Sequence, residues 1–448
     1  MNVRRGLAGA LCALATTAAA HAAASNAELQ AKLESMEQEL KQVNAANSEF
    51  QRRQEILTVE IRKVRESMVL PEEPKLKSTY GMGPAASKVY GIQRGLSIGG
   101  YGNGFYTNLG QDKGINDHNR FDIQRVVLYT GYKFSDHLVF NSELEVEHAN
   151  TDDGGEVGVE FAQLDYLHTP KLNFRFGLML IPMGIINELH EPLFFHGNQR
   201  PEVETQIIPS TWRENGVGIF GALSSKVNYR AYVVASGKAS GFTSASIEGG
   251  KQEGANAIAD DLSTVGRLEY QATNQLQIAG SVYNGRQGQR ENFEVKPGTF
   301  VRVGARTTVS EAHAIYRNRG LEARALVTGI HIDDADALSA AAAVKGLGPI
   351  ASHLDGWYAE LAYDLFSQRK GGSGASLAPF ARFEKFDTQD RVPLGFIPDR
   401  TRDVILRTFG IDYKPYPQVV FKLDHRDFSI GGGATRADET NVGFGYIF

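Results

Sequence analysis

The chain has 448 residues, 42% hydrophobic and 22% charged, with 48 glycines, 24 Phe and 17 Tyr but only 2 Trp. A net charge of −5 leaves no basic excess with which to hold a polyanion, so no nucleic-acid partner is expected. A single cysteine rules out a disulfide framework and a thiolate metal centre.

Residues 1–22, MNVRRGLAGALCALATTAAAHA, place Arg4 and Arg5 before an apolar run that ends in Ala20-His21-Ala22, a small-residue cleavage site. This is the pattern of a secretory signal peptide. Cys12 lies inside it, so the mature chain has no thiol. Leu11 precedes Cys12 where lipidation requires a small residue. Beyond residue 22 no stretch reaches the 18 or so apolar residues that a spanning helix needs, so entry into a membrane would require a closed barrel.

Residues 26–68 repeat in heptads. Leu29, Leu33, Met36, Leu40, Val43, Asn47, Phe50, Gln54, Leu57, Ile61, Val64 and Met68 alternate at spacings of four and three, with Glu, Gln, Lys and Arg between them. Such a seam predicts a coiled coil about 60 Å long, in which polar Asn47 and Gln54 fix register. Pro71, Pro74 and Pro84, with Gly81 and Gly83, then break helicity, and 70–93 reads as a linker.

From residue 94 the hydrophobic period becomes two. The predicted strands are 94–107, 120–134, 137–149, 157–168, 171–181, 214–224, 227–237, 262–272, 275–285, 300–311, 320–332, 354–366, 376–387, 403–414, 418–429 and 439–448, sixteen in all. Short connections alternate with long ones such as 182–213, 238–261 and 333–353, the sorting expected of the two rims of an outer-membrane barrel. In HLVFNSELEVEH, Leu138, Phe140, Leu144 and Val146 oppose Asn141, Glu143, Glu145 and Glu147. An apolar core would reject that many charges, so the charged faces are assigned to a water-filled lumen and the apolar faces to lipid. In the last strand, NVGFGYIF, Val442, Phe444, Tyr446 and Phe448 share the lipid face, and pairing with the first strand would remove an exposed edge.

Three shorter motifs carry little. HEPLFFH, His190–His196, departs from HExxH because the second histidine comes one residue late and Pro192 interrupts the turn. GGYGNGFY lacks the βαβ context of a nucleotide loop, and no strand offers a clear Ser-His-acid set. Neither a catalytic residue, nor a metal ligand, nor a cofactor is predicted.

The stretch RFGLMLIPMGIINELHEPLFFHGNQRPEVETQIIPSTWRENGVGIFG, residues 175–221, resembles the strand, P-x-G loop and W-x-E-x-G return strand of the phosphate-selective porin O and P family. Pro182, Gly184, Glu191, Pro192, Arg200, Pro201, Pro209, Trp212, Glu214 and Gly216 carry the match, and Phe448 matches the terminal aromatic by which outer-membrane barrels are recognised for assembly. The resemblance implies a homotrimeric, sixteen-stranded pore whose third loop, 182–213, folds into the lumen. The family's phosphate path is rich in Lys and Arg, whereas this loop sets Arg200 and Arg213 against Glu188, Glu191, Glu202 and Glu204. Phosphate selectivity is therefore not expected to follow.

The expectation is an all-β protein, a 16-stranded antiparallel transmembrane β-barrel preceded by an α-helical coiled coil, acting as a passive diffusion channel for small hydrophilic solutes and ions. The solute path is assigned to Arg125, Arg175, Arg200, Arg213, Arg230, Glu202 and Glu204. Alternation also directs Arg267, Arg302, Arg306, Arg324, Arg382 and Arg426 inward, which suggests a mild anion preference. Expected partners are outer-membrane lipid, copies of the same chain, the barrel-assembly machinery and peptidoglycan. The expected location is the outer membrane of a Gram-negative-type envelope, with the N-terminal segment in the periplasm. The alternative is a structural tether, in which the barrel anchors a coiled coil that reaches the cell wall.

Overall fold

The computed structural model describes residues 31–60, 76–110, 118–152, 154–368 and 374–448. The predicted signal peptide, both ends of the heptad segment and residues 70–75 of the predicted linker lie outside the described residues. The chain divides into two compact units, Met1–Lys75 and Leu76–Phe448.

The described part of the first unit is one helix, α1 (31–60). Leu33, Met36, Leu40, Val43, Phe50 and Leu57 are exposed along it, and so are Asn47 and Gln54. A helix of Glu, Gln, Lys and Leu forms readily by propensity, but among the described residues its apolar seam has no cover.

The second unit contains β1 (Gly95–Leu109), β2 (Arg120–Lys133), β3 (Leu138–Glu147), β4 (Val157–Thr169), β5 (Leu172–Leu180), β6 (Arg213–Ser224), β7 (Val227–Ala235), β8 (Leu262–Gln271) and β9 (Leu276–Arg286). These are followed by β10 (Asn292–Lys296), β11 (Thr299–Arg302), β12 (Arg306–Asn318), β13 (Leu321–Ile332), β14 (His353–Tyr363), β15 (Ser376–Arg391), β16 (Asp403–Tyr416), β17 (Val419–Ile430) and β18 (Glu439–Ile447). Short helices are α2 (Lys88–Gly91), α3 (Val203–Gln206) and α4 (Ala335–Val344).

Sixteen strands close into one antiparallel barrel, each pairing with its neighbours in sequence, while β10 and β11 form a separate hairpin. β18 pairs with β1, with Tyr101 opposite Ile447 and Phe105 opposite Gly443. Closure leaves no edge, and among the described residues no second sheet covers the apolar outer face of the last strand, where Val442 and Phe448 are exposed. Tight connections such as 134–137, 170–171, 225–226, 319–320 and 417–418 share one rim, and longer ones such as 181–212, 236–261 and 333–352 share the other.

The strand predicted at 300–311 is displaced. Residues 299–302 belong to the hairpin in the preceding loop, and the barrel strand is Arg306–Asn318. In that strand Thr307, Val309, Glu311 and His313 are buried while Arg306 is exposed and bonds Asn284 at 2.7 Å, so Arg302 and Arg306 do not face the lumen. Their period-two pattern continues through a break in the strand, which sequence alternation cannot register.

The interior is more filled than a water-lined lumen. The loop from Ile181 to Trp212 crosses it, packing Met183, Ile186, Val203, Ile207 and Trp212 against inward Val234, Tyr283, Ile330 and Leu406. On the opposite side Met82, Ala85 and Ala86 pack with Tyr101, Tyr129, Phe161 and Leu193. Residues 76–92, part of the predicted linker, are thus a strap inside the barrel. Asn141 donates to the Ala86 carbonyl at 2.9 Å and Tyr90 donates to Asp165 at 2.7 Å.

Candidate functional site

Because β-strand side chains alternate, one face of every strand is committed to this interior. There the inward charges meet in pairs. Arg175 on β5 makes two 2.9 Å bonds to Asp165 on β4 and a 3.2 Å bond to the Tyr232 hydroxyl. Arg230 lies 2.9 Å from Glu188 on the loop and 2.5 Å from Glu269 on the wall. Arg125 binds Glu145 at 2.7 Å and Glu147 at 3.1 Å. Arg382 bridges Glu360 and Glu384 at 3.1 and 2.8 Å. Ion pairs this deeply buried persist because each charge is matched and hydrogen-bonded.

The loop is held by the same chemistry. Glu204 on α3 accepts from the backbone N–H groups of Ile185 and Ile186 at 2.7 and 2.8 Å and from the Tyr358 hydroxyl at 2.6 Å. Burial pushes its carboxyl above the ordinary range, against the pull of those donors. Burial acts in the same direction on Glu202, but Arg426, 2.5 Å away, together with Arg436 and the hydrogen bonds from Arg426 and Gln206, outweighs it and holds Glu202 below that range. Further along, Lys422 on β17 donates to the carbonyls of Phe195 and Gly197 at 2.8 and 2.7 Å. His196 pairs with Asp412 on β16 at 2.7 Å, and Asn198 bonds Asp424. The loop is therefore anchored to the far wall along several residues.

Arg200 stands apart. It donates to Ser210 Oγ at 3.0 Å and Thr211 Oγ1 at 2.8 Å, and its Nε and Nη2 have no partner. Among the described residues it makes no ion pair. Burial and then the neighbouring Arg125 charge pull its pKa below the ordinary guanidinium value.

Ser210 and Thr211 also line a polar cavity of about 400 Å³ between the loop's return and the β2–β4 wall. Arg125, Arg213 and Lys251 line it together with Glu145, Glu147, Glu156, Glu160, Glu248 and Glu253. Arg213 binds Glu160 at 3.1 Å and Glu253 at 3.4 Å. Of the residues assigned to the solute path, Arg125 and Arg213 line this cavity, and Arg200 touches two more of its lining residues. Arg175, Arg230, Glu202 and Glu204 are engaged in the separate pairs described above.

Glu160 was not foreseen as inward-facing. The β3–β4 register shifts so that Glu143 lies opposite Phe161 and Leu144 opposite Val159, and both Glu160 and Phe161 turn inward. A bulge of this kind inverts the alternation on one side of itself, and VGVEFAQ shows no local mark of it. The strap's role was also hidden, since Pro and Gly signal only the absence of helix and strand.

No family model matches the chain. An uncharacterized protein of Aquifex aeolicus (strain VF5) is 36% identical over 375 residues, covering 81% of this chain and 82% of that protein. Among solved structures, Salmonella typhi OmpF in complex with daunomycin superposes with a TM-score of 0.50 at 12% identity, over 80% of this chain and 98% of that one. The anion-selective porin from Comamonas acidovorans gives 0.48 at 11% identity, over 79% and 99%. At these identities the likeness to OmpF is one of fold: a closed barrel of the porin kind.

Proposed function

We propose, for a chain that belongs to the same family as the uncharacterized Aquifex aeolicus protein, that it is an outer-membrane porin through which small hydrophilic solutes and ions diffuse down their gradients. The observation that carries this reading is the division of the barrel wall: Leu128, Leu144, Phe176, Leu268, Leu361 and Phe421 are exposed on the outside, while the inner face bears matched charges around a polar cavity. Water and ions are stabilised by such an interior, and lipid by such an exterior. The loop 182–213 sets the narrowest point, between the Arg200–Thr211 contact and the wall carrying Arg125 and Glu160.

The mild anion preference read from the arginines weakens once those arginines are seen in ion pairs. Six carboxylates line the cavity against three cations, so the net field there draws cations, with Arg200 as a nearby counterweight. Phosphate, the solute suggested by resemblance to the phosphate-selective family, meets paired Arg125 and Arg213 at this cavity, and beside them Arg200, which makes no ion pair among the described residues. We therefore assign a weak cation preference and poor phosphate permeation. Bilayer recordings of the purified chain across a salt gradient test both statements. Absence of conductance overturns the channel, and a reversal potential of anionic sign overturns the preference.

Homotrimerisation and the periplasmic coiled coil are part of the same proposal, supported by the uncovered heptad seam on α1, which needs copies of itself. That seam also favours a second reading, in which the barrel anchors a tether to peptidoglycan. Deleting residues 26–68 separates them, because a channel keeps its conductance and a tether loses its cell-wall association.

A further inference from the structure

We propose that Glu143, Glu160 and His190 form a binding site for a divalent transition-metal cation inside the barrel. One oxygen from each carboxylate and one ring nitrogen of the histidine lie within 4.8 Å of one another, and all three residues are buried. They come from three places: β3, the bulge in β4, and the loop. The inference does not depend on the channel reading.

The hydrogen bonding points to a missing positive charge. His190 Nδ1 lies 2.9 Å from the Asn187 carbonyl, which can only accept, so Nδ1 carries a proton. A neutral ring then turns the Nε2 lone pair toward Glu143 Oε1, at 3.2 Å. Two acceptors facing each other at that distance need a proton or a metal ion between them. The backbone bond on Nδ1 is also the outer-shell contact that orients a ligating imidazole.

Two further atoms are left over. Glu143 Oε2 and Glu160 Oε2 have no hydrogen-bond partner, although the residues are only 0% and 3% exposed. Arg213 holds the other oxygen of Glu160 at 3.1 Å, so that oxygen is engaged while Oε2 stays free. An imidazole with two carboxylates suits Zn²⁺ and neutralises its charge, leaving a position for water. Ligand atoms around such an ion stand roughly 3.3 Å apart, so Glu160 closes inward on binding. Arg125, Arg200 and Arg213 lie close enough to oppose a cation, and Glu145 and Glu191 offset them. Glu160 lines the carboxylate-rich cavity, which supplies the ion's route.

The HExxH-like spacing plays no part. His196, the second histidine of that stretch, is paired with Asp412. The competing account is a protonated His190 held by Glu143 as a plain ion pair.

The test is calorimetric titration of Zn²⁺ into the tag-free, chelator-treated, detergent-folded full chain, beside His190→Ala and Glu143→Gln. One Zn²⁺ per chain is expected, with affinity at least about tenfold weaker in either variant. Absence of stoichiometric binding, or equal affinity in His190→Ala, overturns the site. Should a variant fail to fold, X-ray absorption of the zinc-loaded wild type decides, since this site requires nitrogen and oxygen ligands with a single imidazole. Two or more imidazoles place the metal elsewhere and overturn it as well.

Discussion

Arg175 and Asp165 sit opposite each other on neighbouring strands and share two bonds of 2.9 Å, with both side chains almost wholly removed from solvent. The Phe220 ring lies 4.7 Å from the guanidinium, and Tyr90 of the strap donates to the same carboxylate. Every direction around this arginine is occupied, so its role is to join two strands to the strap. Arg175→Ala strands a buried carboxylate and is expected to cost about 3–5 kcal/mol. A urea titration followed by gel mobility before and after boiling reads that loss. Replacing both residues with apolar ones of similar size, Arg175→Met with Asp165→Leu, should recover most of it, because no buried charge is then left unpaired. The reversal potential of the protein that folds should stay at the wild-type value.

Arg200 should behave in the opposite way. Its Nε and Nη2 have no partner, so removing its charge leaves no buried carboxylate uncompensated. Arg200→Gln is expected to change stability by about 1 kcal/mol or less, the scale of its hydrogen bonds to Ser210 and Thr211. Taking one positive charge from beside a cavity with an excess of carboxylates should shift the reversal potential further toward cations. A salt-gradient recording checks the shift, and the parallel unfolding curve checks that the barrel is intact.

The contrast between these two arginines marks where sequence reading reaches its limit. Alternation placed Arg175, Arg230, Arg267, Arg324, Arg382 and Arg426 inward because strand geometry allows a side chain only two directions. The barrel and its closure by β18 follow from the same rule, together with the lengths of the turns. What each inward charge does depends on its partner across the barrel, which lies 227 positions away for the Lys422–Phe195 contact, and periodicity carries no such information. Local breaks in the ladder are equally silent. The bulge that turns Glu160 inward and the hairpin that displaces β12 each upset the inside–outside assignment within their own stretch of chain without a distinctive residue. Gly100 and Gly102 make the opposite point. A Cβ at either position would fall within 2.7 Å of the Phe448 or Tyr446 ring, so each glycine makes room for one particular ring.

Glu204 links the loop to itself and to the wall. One oxygen holds two successive loop amides and the other takes the Tyr358 hydroxyl. Glu204→Ala leaves three donors without an acceptor in a buried place, at roughly 1–3 kcal/mol for each one that finds no substitute. With that latch gone, the segment from Met183 to Ile186 should fluctuate away from the α3 turn and widen the passage. Single-channel conductance is expected to rise and become noisier, with unchanged gel mobility of the folded barrel. Glu204→Gln keeps one acceptor for the two amides and should fall between wild type and alanine.

Phe448 closes the barrel, and a pair of variants can test whether its ring also serves assembly. Its backbone closes the barrel, donating to the Gly100 carbonyl at 2.9 Å and accepting from the Gly100 amide at 3.1 Å. Its ring lies on the outer wall over Gly100, beside the Tyr446 ring at 6.5 Å, and remains about half exposed. Phe448→Ala keeps both backbone bonds and gives up a ring that is only partly covered, so refolding of the pure protein into detergent should proceed as for wild type, with a stability loss of about 1 kcal/mol. Deleting Phe448 removes both bonds and should lower the urea midpoint further. If the ring is what the assembly machinery recognises, the alanine variant should nonetheless accumulate less folded barrel in cells than wild type, a defect absent in the detergent experiment. Equal yields in cells would confine Phe448 to closing the barrel.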